Sequence, residues 1–154
     1  MIVIRRAVPG DLPSVVALFA LPVDGNVLDQ GPTEPLDPAY ARALASMEGD
    51  SSNIFYVAEL GGRVVGTFQL TIIQHIAYRG GRVAQVENVI VDPAVRGRGV
   101  GARMMGWAIA EARARACFRV QLTSNLSRDG AHRFYERLGF VASHKGMKLD
   151  LASR

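Results

Sequence analysis

Val89-Ile90-Val91-Asp92-Pro93-Ala94-Val95-Arg96-Gly97-Arg98-Gly99-Val100-Gly101 is the stretch on which the fold turns. It begins as an apolar, β-branched run, the pattern of a buried strand. Asp92-Pro93 stops that strand. An arginine–glycine alternation follows, and after Gly101 a helical pattern continues to about Ala116. A strand therefore feeds a tight glycine turn that opens a long helix. Backbone N–H groups at a helix start have no intrahelical acceptor and carry partial positive charge. Glycines remove the Cβ atoms that would hold a phosphate away from those groups. Arg96 and Arg98 add charge beside Gly97, Gly99, Val100 and Gly101. The segment reads as a cradle for a diphosphate. The alternative is a plain strand–helix turn with surface arginines.

Two better-known glycine signatures are excluded. Gly-Lys-Ser/Thr is absent, so the turn is not a nucleotide P-loop. Gly-x-Gly-x-x-Gly is absent too, and the preceding segments read as a meander instead of the start of a βαβ unit.

Working toward the N-terminus, residues 83–91, 64–76 and 54–60 read as three consecutive antiparallel strands. Gly61-Gly62 and Tyr78-Arg79-Gly80-Gly81 supply the turns between them. Residues 40–47 form an alanine-rich helix, and residues 21–38, with their prolines and glycines, a loop. Asp11 is placed to cap a first helix, with Pro13 early in it, and residues 2–6 form a short strand. Toward the C-terminus, residues 118–123 read as a strand and residues 130–137 as a helix. Two closing strands are expected at 140–142 and 144–151.

The chain has 154 residues, 49% of them apolar and 21% charged, enough for one ordinary core and too few charges for disorder. A single domain over 1–154 is expected. The net charge of +4 is spread along the chain without a block of like charges. That argues against a nucleic-acid tail and suits a small polyanion. No apolar run approaches the roughly 20 residues of a membrane span, and no signal peptide is visible. Cys117 stands alone, so no internal disulfide forms. These features point to a soluble, cytoplasmic protein without a nucleic-acid or membrane partner. His75, His132 and His144 show no metal-ligand spacing with acids or Cys117, so no metal site is expected.

Arg96-Gly97-Arg98-Gly99-Val100-Gly101 resembles the Arg/Gln-x-x-Gly-x-Gly/Ala signature of the GCN5-related N-acetyltransferases (GNAT). Val86-Glu87-Asn88-Val89-Ile90-Val91-Asp92-Pro93 is similar to that family's fourth strand. Ala131-His132-Arg133-Phe134-Tyr135-Glu136-Arg137-Leu138-Gly139-Phe140 is similar to its last helix and following strand. The resemblance implies an α/β (α+β) fold. Its centre would be a mixed, mostly antiparallel twisted sheet of six to seven strands flanked by about four helices. It implies acetyl-CoA as cosubstrate, transfer to a primary amine of a small molecule or peptide by direct attack on the thioester, and a possible homodimer. Backbone groups around Val89, Ile90 and Val91 would pair with the pantetheine arm, where the strand splays from its neighbour. A bulge near Asn88 would be the device. Ala102 completes the phosphate turn. A non-catalytic acyl-CoA-binding sensor or scaffold is the alternative class.

The chemistry sets its own demands. An amine with pKa near 10.4 is neutral in roughly one molecule in 2,500 at pH 7. A carboxylate nearby, acting directly or through water, can take the proton. Glu87 is the candidate base, against a merely solvent-facing glutamate. Tyr135 is the candidate acid toward the departing thiolate, against a tyrosine packed beside Phe134 and Phe140. By resemblance, Asn125 bonds the coenzyme or orients the acyl chain. A turn role is the competing reading. Arg128 and Arg133 are within the run that would reach coenzyme phosphates, although helix arginines are commonly only solvated.

The run Leu122-Thr123-Ser124-Asn125 through Ala131-His132-Arg133-Phe134-Tyr135, with the strand before the glycine turn, also resembles the aminoalkylphosphonate N-acetyltransferases. Against this, the loop before the second helix holds Asp24, Asp29, Glu34 and Asp37 and no basic residue, which suits a cationic acceptor. Gln69, Thr71, His75 and Tyr78 are candidates for lining the acceptor pocket.

Overall fold

A computed structural model describes residues 1–23 and 27–152; Asp24 lies outside them. The chain divides into two units, Met1–Leu122 and Thr123–Arg154.

In the first unit, β1 (Ile2–Arg6), β2 (Asn53–Leu60), β3 (Arg63–Gln74), β4 (Arg82–Val91) and β5 (Cys117–Leu122) form one sheet in sequential order. The first three pairings are antiparallel and β4–β5 is parallel. Gly61 and Gly62 both have positive φ, 60° and 78°. This is the two-residue hairpin geometry whose twist matches the strands, and Leu60 faces Arg63 across it. Between β3 and β4 the chain makes a single turn, α3 (Ala77–Gly80). Tyr78 and Arg79 sit there in the left-handed region. The Tyr78 ring rests on His75 and Phe118, which offsets the steric cost of that backbone.

Helices cover both faces. Phe55 and Tyr56 are neighbours on β2 and point to opposite sides. Phe55 meets Phe19 of α1 (Leu12–Phe19), whereas Tyr56 meets Trp107 of α4 (Val100–Ala114). Val15 and Val16 of α1, and Met104, Met105, Ala108 and Ala112 of α4, are buried. At Gly66 of β3 an added Cβ would lie 2.7 Å from Met104 Sδ, so the missing side chain is what lets α4 approach.

Asp11 does not cap α1 as expected. Its buried carboxylate takes two hydrogen bonds from the Arg5 guanidinium, at 2.7 and 2.9 Å, and one from the Val8 N–H at 2.8 Å. Asp37 caps α2 (Pro38–Glu48) by accepting from Ala39 N–H.

The second unit holds α5 (Asp129–Arg137) and the segment after it. The expectation of six to seven strands is corrected here. Residues 140–142 and 144–151 form no strand, and the sheet among the described residues has five. The physical reason is pairing. A strand needs a neighbour for its N–H and C=O groups, and this backbone bonds only locally. Phe140 N–H reaches Tyr135 O, and Ser143 N–H reaches Val141 O.

Candidate active site

β4 is paired on both sides only as far as Val86, which faces Leu70 on β3 and Leu122 on β5. Residues 87–91 continue along β3, but among the described residues they have no strand partner on the β5 side. That open edge contains Glu87, Val89, Ile90 and Val91.

The other side of β4 is firmly held. Gln69 faces Glu87 and Thr67 faces Ile90, so Asn88 and Val89 together oppose Phe68. This is a β-bulge, and Asn88 takes it up with φ 53°. Thr67 is fully buried, and its hydroxyl donates to Asn88 O at 3.0 Å. A bulge near Asn88 was the expected device, and it is present.

Glu87 is exposed, and among the described residues no cation pairs with it. Polar side chains share its face. Gln69 is directly opposite, and Thr71 faces Gln85 one step along. Gln69 Nε2 donates to Asn53 Oδ1 at 2.8 Å, Thr71 Oγ1 donates to the same oxygen at 3.2 Å, and Gln121 Nε2 donates to Gln85 Oε1 at 2.9 Å. A belt of amides therefore flanks one carboxylate. His75 and Tyr78 belong instead to the ring cluster with Phe118 around α3.

Beyond Val91 the chain turns under tight control. Asp92 N–H donates to Val65 O, Asp92 Oδ1 accepts from Ala94 N–H at 2.9 Å, and Asp92 Oδ2 pairs with Arg63 at 3.2 Å. Gly97 and Gly99 have φ of 77° and 79°, and a Cβ at either would meet open space. Such φ values exclude most side chains, and the open space is where a ligand would lie. The N–H groups of Arg96 and Arg98 bond Pro93 O and Val95 O within the turn. The Arg98 N–H is therefore not a free donor. The free donors among the described residues are Gly97, Gly99 and the first turn of α4, which includes Val100, Gly101 and Ala102. The side chains of Arg96, Arg98 and Arg103 are exposed, and among the described residues no carboxylate pairs with them. Arg103 was not singled out from the sequence. Its place in the first turn after the glycines was the signal.

In the second unit, Tyr135 is buried, with its ring 5.2 Å from Phe134 and 5.8 Å from Phe140. Burial pushes its phenol above the ordinary value, opposed by the charge of Arg128, so the hydroxyl keeps its proton at neutral pH. Asn125 builds a turn. Its Oδ1 accepts from Ser127 N–H at 3.0 Å and Ser127 Oγ at 2.8 Å, and its carbonyl lies 2.9 Å from His132 Nε2. Arg128 is the residue before α5. Ser124 holds a buried hydroxyl with no partner among the described residues, and the sequence carried no sign of it. Back in the first unit, burial raises the Cys117 thiol, against Arg82 and Arg115, which keeps it from being a ready nucleophile.

The arrangement combines an anion cradle, an open strand edge and an exposed carboxylate. Residues 24–140 match the Acetyltransferase (GNAT) family. The chain belongs to that family. It is similar to the aminoalkylphosphonate N-acetyltransferase of Salmonella typhimurium, with 30% identity over 92% of this chain and 86% of that protein. It is also similar to glucosamine 6-phosphate N-acetyltransferase 1 of Oryza sativa, with 34% identity over 77% of this chain and 72% of that one. A crystal structure of a transcriptional regulator from Bacillus halodurans C-125 superposes with a TM-score of 0.91. Its identity is 38%, over 98% of this chain and 100% of that one. The protein is an N-acetyltransferase, transferring an acetyl group to an amine. Among the described residues no helix is long and apolar enough to cross a membrane.

Proposed function

We propose that this enzyme acetylates the primary amine of a small polar molecule, using acetyl-CoA held along the open edge of β4. One observation carries the reading: the unpaired edge at residues 87–91 runs directly into the free amides of Gly97, Gly99 and the start of α4. Backbone groups of Val89, Ile90 and Val91 offer a strand-like partner for an amide-bearing arm. Gly97, Gly99, Val100, Gly101 and Ala102 offer donors for a diphosphate, with Arg96, Arg98 and Arg103 supplying charge. The bound coenzyme supplies the activated thioester. Asn125 and Arg128 are assigned to the coenzyme with less support, because the Asn125 oxygen already serves its own turn. All these parts are read as one catalytic domain over 1–154, in the cytoplasm.

Glu87 takes the proton from the acceptor ammonium, directly or through water, and Tyr135 donates to the leaving thiolate. The raised phenol supports the second role, since an acid must be protonated before it can donate. Gln69, Gln85 and Thr71 present amide and hydroxyl groups beside Glu87, which suits an acceptor carrying hydroxyl groups around its amine. The acidic loop gives little support to a strongly cationic acceptor, because Asp37 is committed to capping α2.

Free-thiol release from acetyl-CoA, measured with amino sugars, aminophosphonates, polyamines and peptide N-termini, tests the reading. Turnover with one of these classes, together with a Tyr135→Phe variant that loses kcat and keeps coenzyme affinity, is the expected result. Coenzyme binding without turnover on any amine would overturn it.

A further inference from the structure

Asn53 on β2 stands opposite Thr71 of β3, and Gln69, on the same face of β3, stands opposite Glu87 of β4. Asn53, Gln69 and Thr71 are half-buried, whereas Glu87 is exposed. The Gln69 amide reaches across this face. Its Nε2 donates to Asn53 Oδ1 at 2.8 Å, toward β2. Its Oε1 faces Asn88 Nδ2 at 3.4 Å, toward β4. Asn53 Oδ1 also accepts from Thr71 Oγ1 at 3.2 Å, so one oxygen holds two donors. The amide is therefore anchored at its nitrogen and loosely engaged at its oxygen. A carbonyl oxygen has two lone pairs, and among the described residues this one receives only the long bond from Asn88.

Directly opposite residues hold their Cβ atoms about 4.5–5.5 Å apart. The open edge thus sets two unlike acceptors together. The Glu87 carboxylate can take a proton, whereas the Gln69 oxygen accepts a hydrogen bond and takes none. An acetylated amine needs both. A primary ammonium arrives with three N–H bonds, and the product amide keeps one. Glu87 removes the first proton, and the freed lone pair forms the C–N bond to the thioester carbon. The C–S bond breaks, its electron pair leaves on sulfur, and sulfur takes up one proton, the equivalent of the second lost from nitrogen. The remaining N–H persists from ammonium to product.

We propose that Gln69 Oε1 accepts this persistent N–H of the acceptor amine, and that Asn53 is the positioning residue that aims it. The inference rests on the acetyl-transfer reading of the open edge and deepens it to a preference among amines. Held by Gln69, the nitrogen does not rotate, and its lone pair keeps one direction. A secondary amine ends with no N–H, so it must give up this bond before its product forms. The contact therefore selects primary amines. Turned the other way, the amide would aim its NH2 at the ammonium and repel it.

Steady-state kinetics test this with whichever amino sugar, aminophosphonate, polyamine or peptide N-terminus turns over fastest, and with its N-methyl analogue. Gln69→Met should raise the acceptor KM about tenfold, lower kcat less, and leave the KM for acetyl-CoA within about twofold. It should also narrow the preference for the primary amine over the N-methyl one. Asn53→Leu should repeat these changes by freeing the amide. Asn53→Asp, whose carboxylate only accepts, should recover most of the loss. Thermal unfolding shows which variants are folded, and Gln69→Met with Asn53→Asp decides the matter if Asn53→Leu does not fold. An unchanged acceptor KM in Gln69→Met overturns the proposal while acetyl transfer stands, and so does a tenfold rise in Asn53→Asp. Wild-type protein that turns over none of these amines overturns the acetyl-transfer reading, and the Gln69 contact falls with it.

Discussion

β4 beyond Val86 and the segment after α5 both lack a strand partner on at least one side among the described residues, but they differ in what holds them. β4 is gripped along its other edge. Gln69, Thr67 and Gly66 pair with it, the Thr67 hydroxyl fixes the bulge, and Asp92 ties the following turn to Val65, Ala94 and Arg63. Among the described residues the backbone of 139–152 bonds only locally, and Val141, Met147, Leu149 and Leu151 stay exposed. An edge whose backbone is pinned from behind keeps its geometry while its front stays open, which is what a binding slot needs. An edge with nothing behind it has no such geometry until a partner supplies it. Of the two, only the first has the fixed geometry that a site within the chain requires.

The sharpest way to break this contrast is at Glu87. If the pinned edge is the reaction site, Glu87→Gln lowers kcat by about 10²–10⁴-fold. Coenzyme affinity, read by calorimetry, stays within a few-fold, because the diphosphate donors lie elsewhere. A variant with wild-type kcat would leave the open edge a coenzyme slot with its base located elsewhere.

The frame behind the site is tested next. Asp11 joins β1 to α1 through Arg5 and Val8. Its carboxyl is held below the ordinary 3.8, mainly by the Arg5 hydrogen bond, with burial opposing. A depressed carboxyl stabilises the fold above its ordinary value, and that contribution is lost as pH falls toward the folded value. Asp11→Asn should therefore cost about 1.5–3 kcal/mol near neutrality. The gap to wild type should narrow at pH values below 3.8. Urea unfolding on both sides of that value measures it. A gap that stays constant would remove the carboxylate charge from the account.

The cradle comes third. Gly99 has φ 79° with open space where a Cβ would stand. Gly99→Val therefore imposes a backbone strain of about 1–2 kcal/mol and places a side chain in the diphosphate position. Thermal unfolding reads the strain, and the KM for acetyl-CoA reads the obstruction. A lowered Tm with an unchanged KM would move the diphosphate off this turn.

The same contrast explains what the sequence disclosed. The glycine turn and the three-strand meander were legible because their causes are local: positive φ at Gly97 and Gly99, and two glycines at a hairpin. The Asn88 bulge was expected only through the family resemblance. The closing strands were misread because alternation reports a face, whereas a strand also needs a neighbour, and the neighbour is not encoded in the segment itself. Asp11 was misread for a related reason. Capping residues are inferred from position, but Arg5, six residues away on a different element, competes for the carboxylate. The amide belt of Asn53, Gln69, Gln85 and Gln121 was largely hidden, since its members come from four strands and only register brings them together.

The smallest expected effect is the most discriminating. Thr67 is wholly buried, and its hydroxyl makes one bond, to the carbonyl of Asn88. Thr67→Val keeps the shape and removes the donor, so stability should fall by only about 1 kcal/mol. The consequence for rate is larger if that bond positions Glu87. The bulge would relax, Glu87 would drift from its proton, and misplacements well under 1 Å can cost about tenfold in kcat. Thr67→Ser keeps the donor and loses a methyl group, so it should cost similar stability while keeping kcat near wild type. The two variants thus separate support of the fold from support of the reaction. Equal kcat in Thr67→Ser and Thr67→Val would mean that the grip behind β4 serves stability alone, and that pinning does not make an open edge a site.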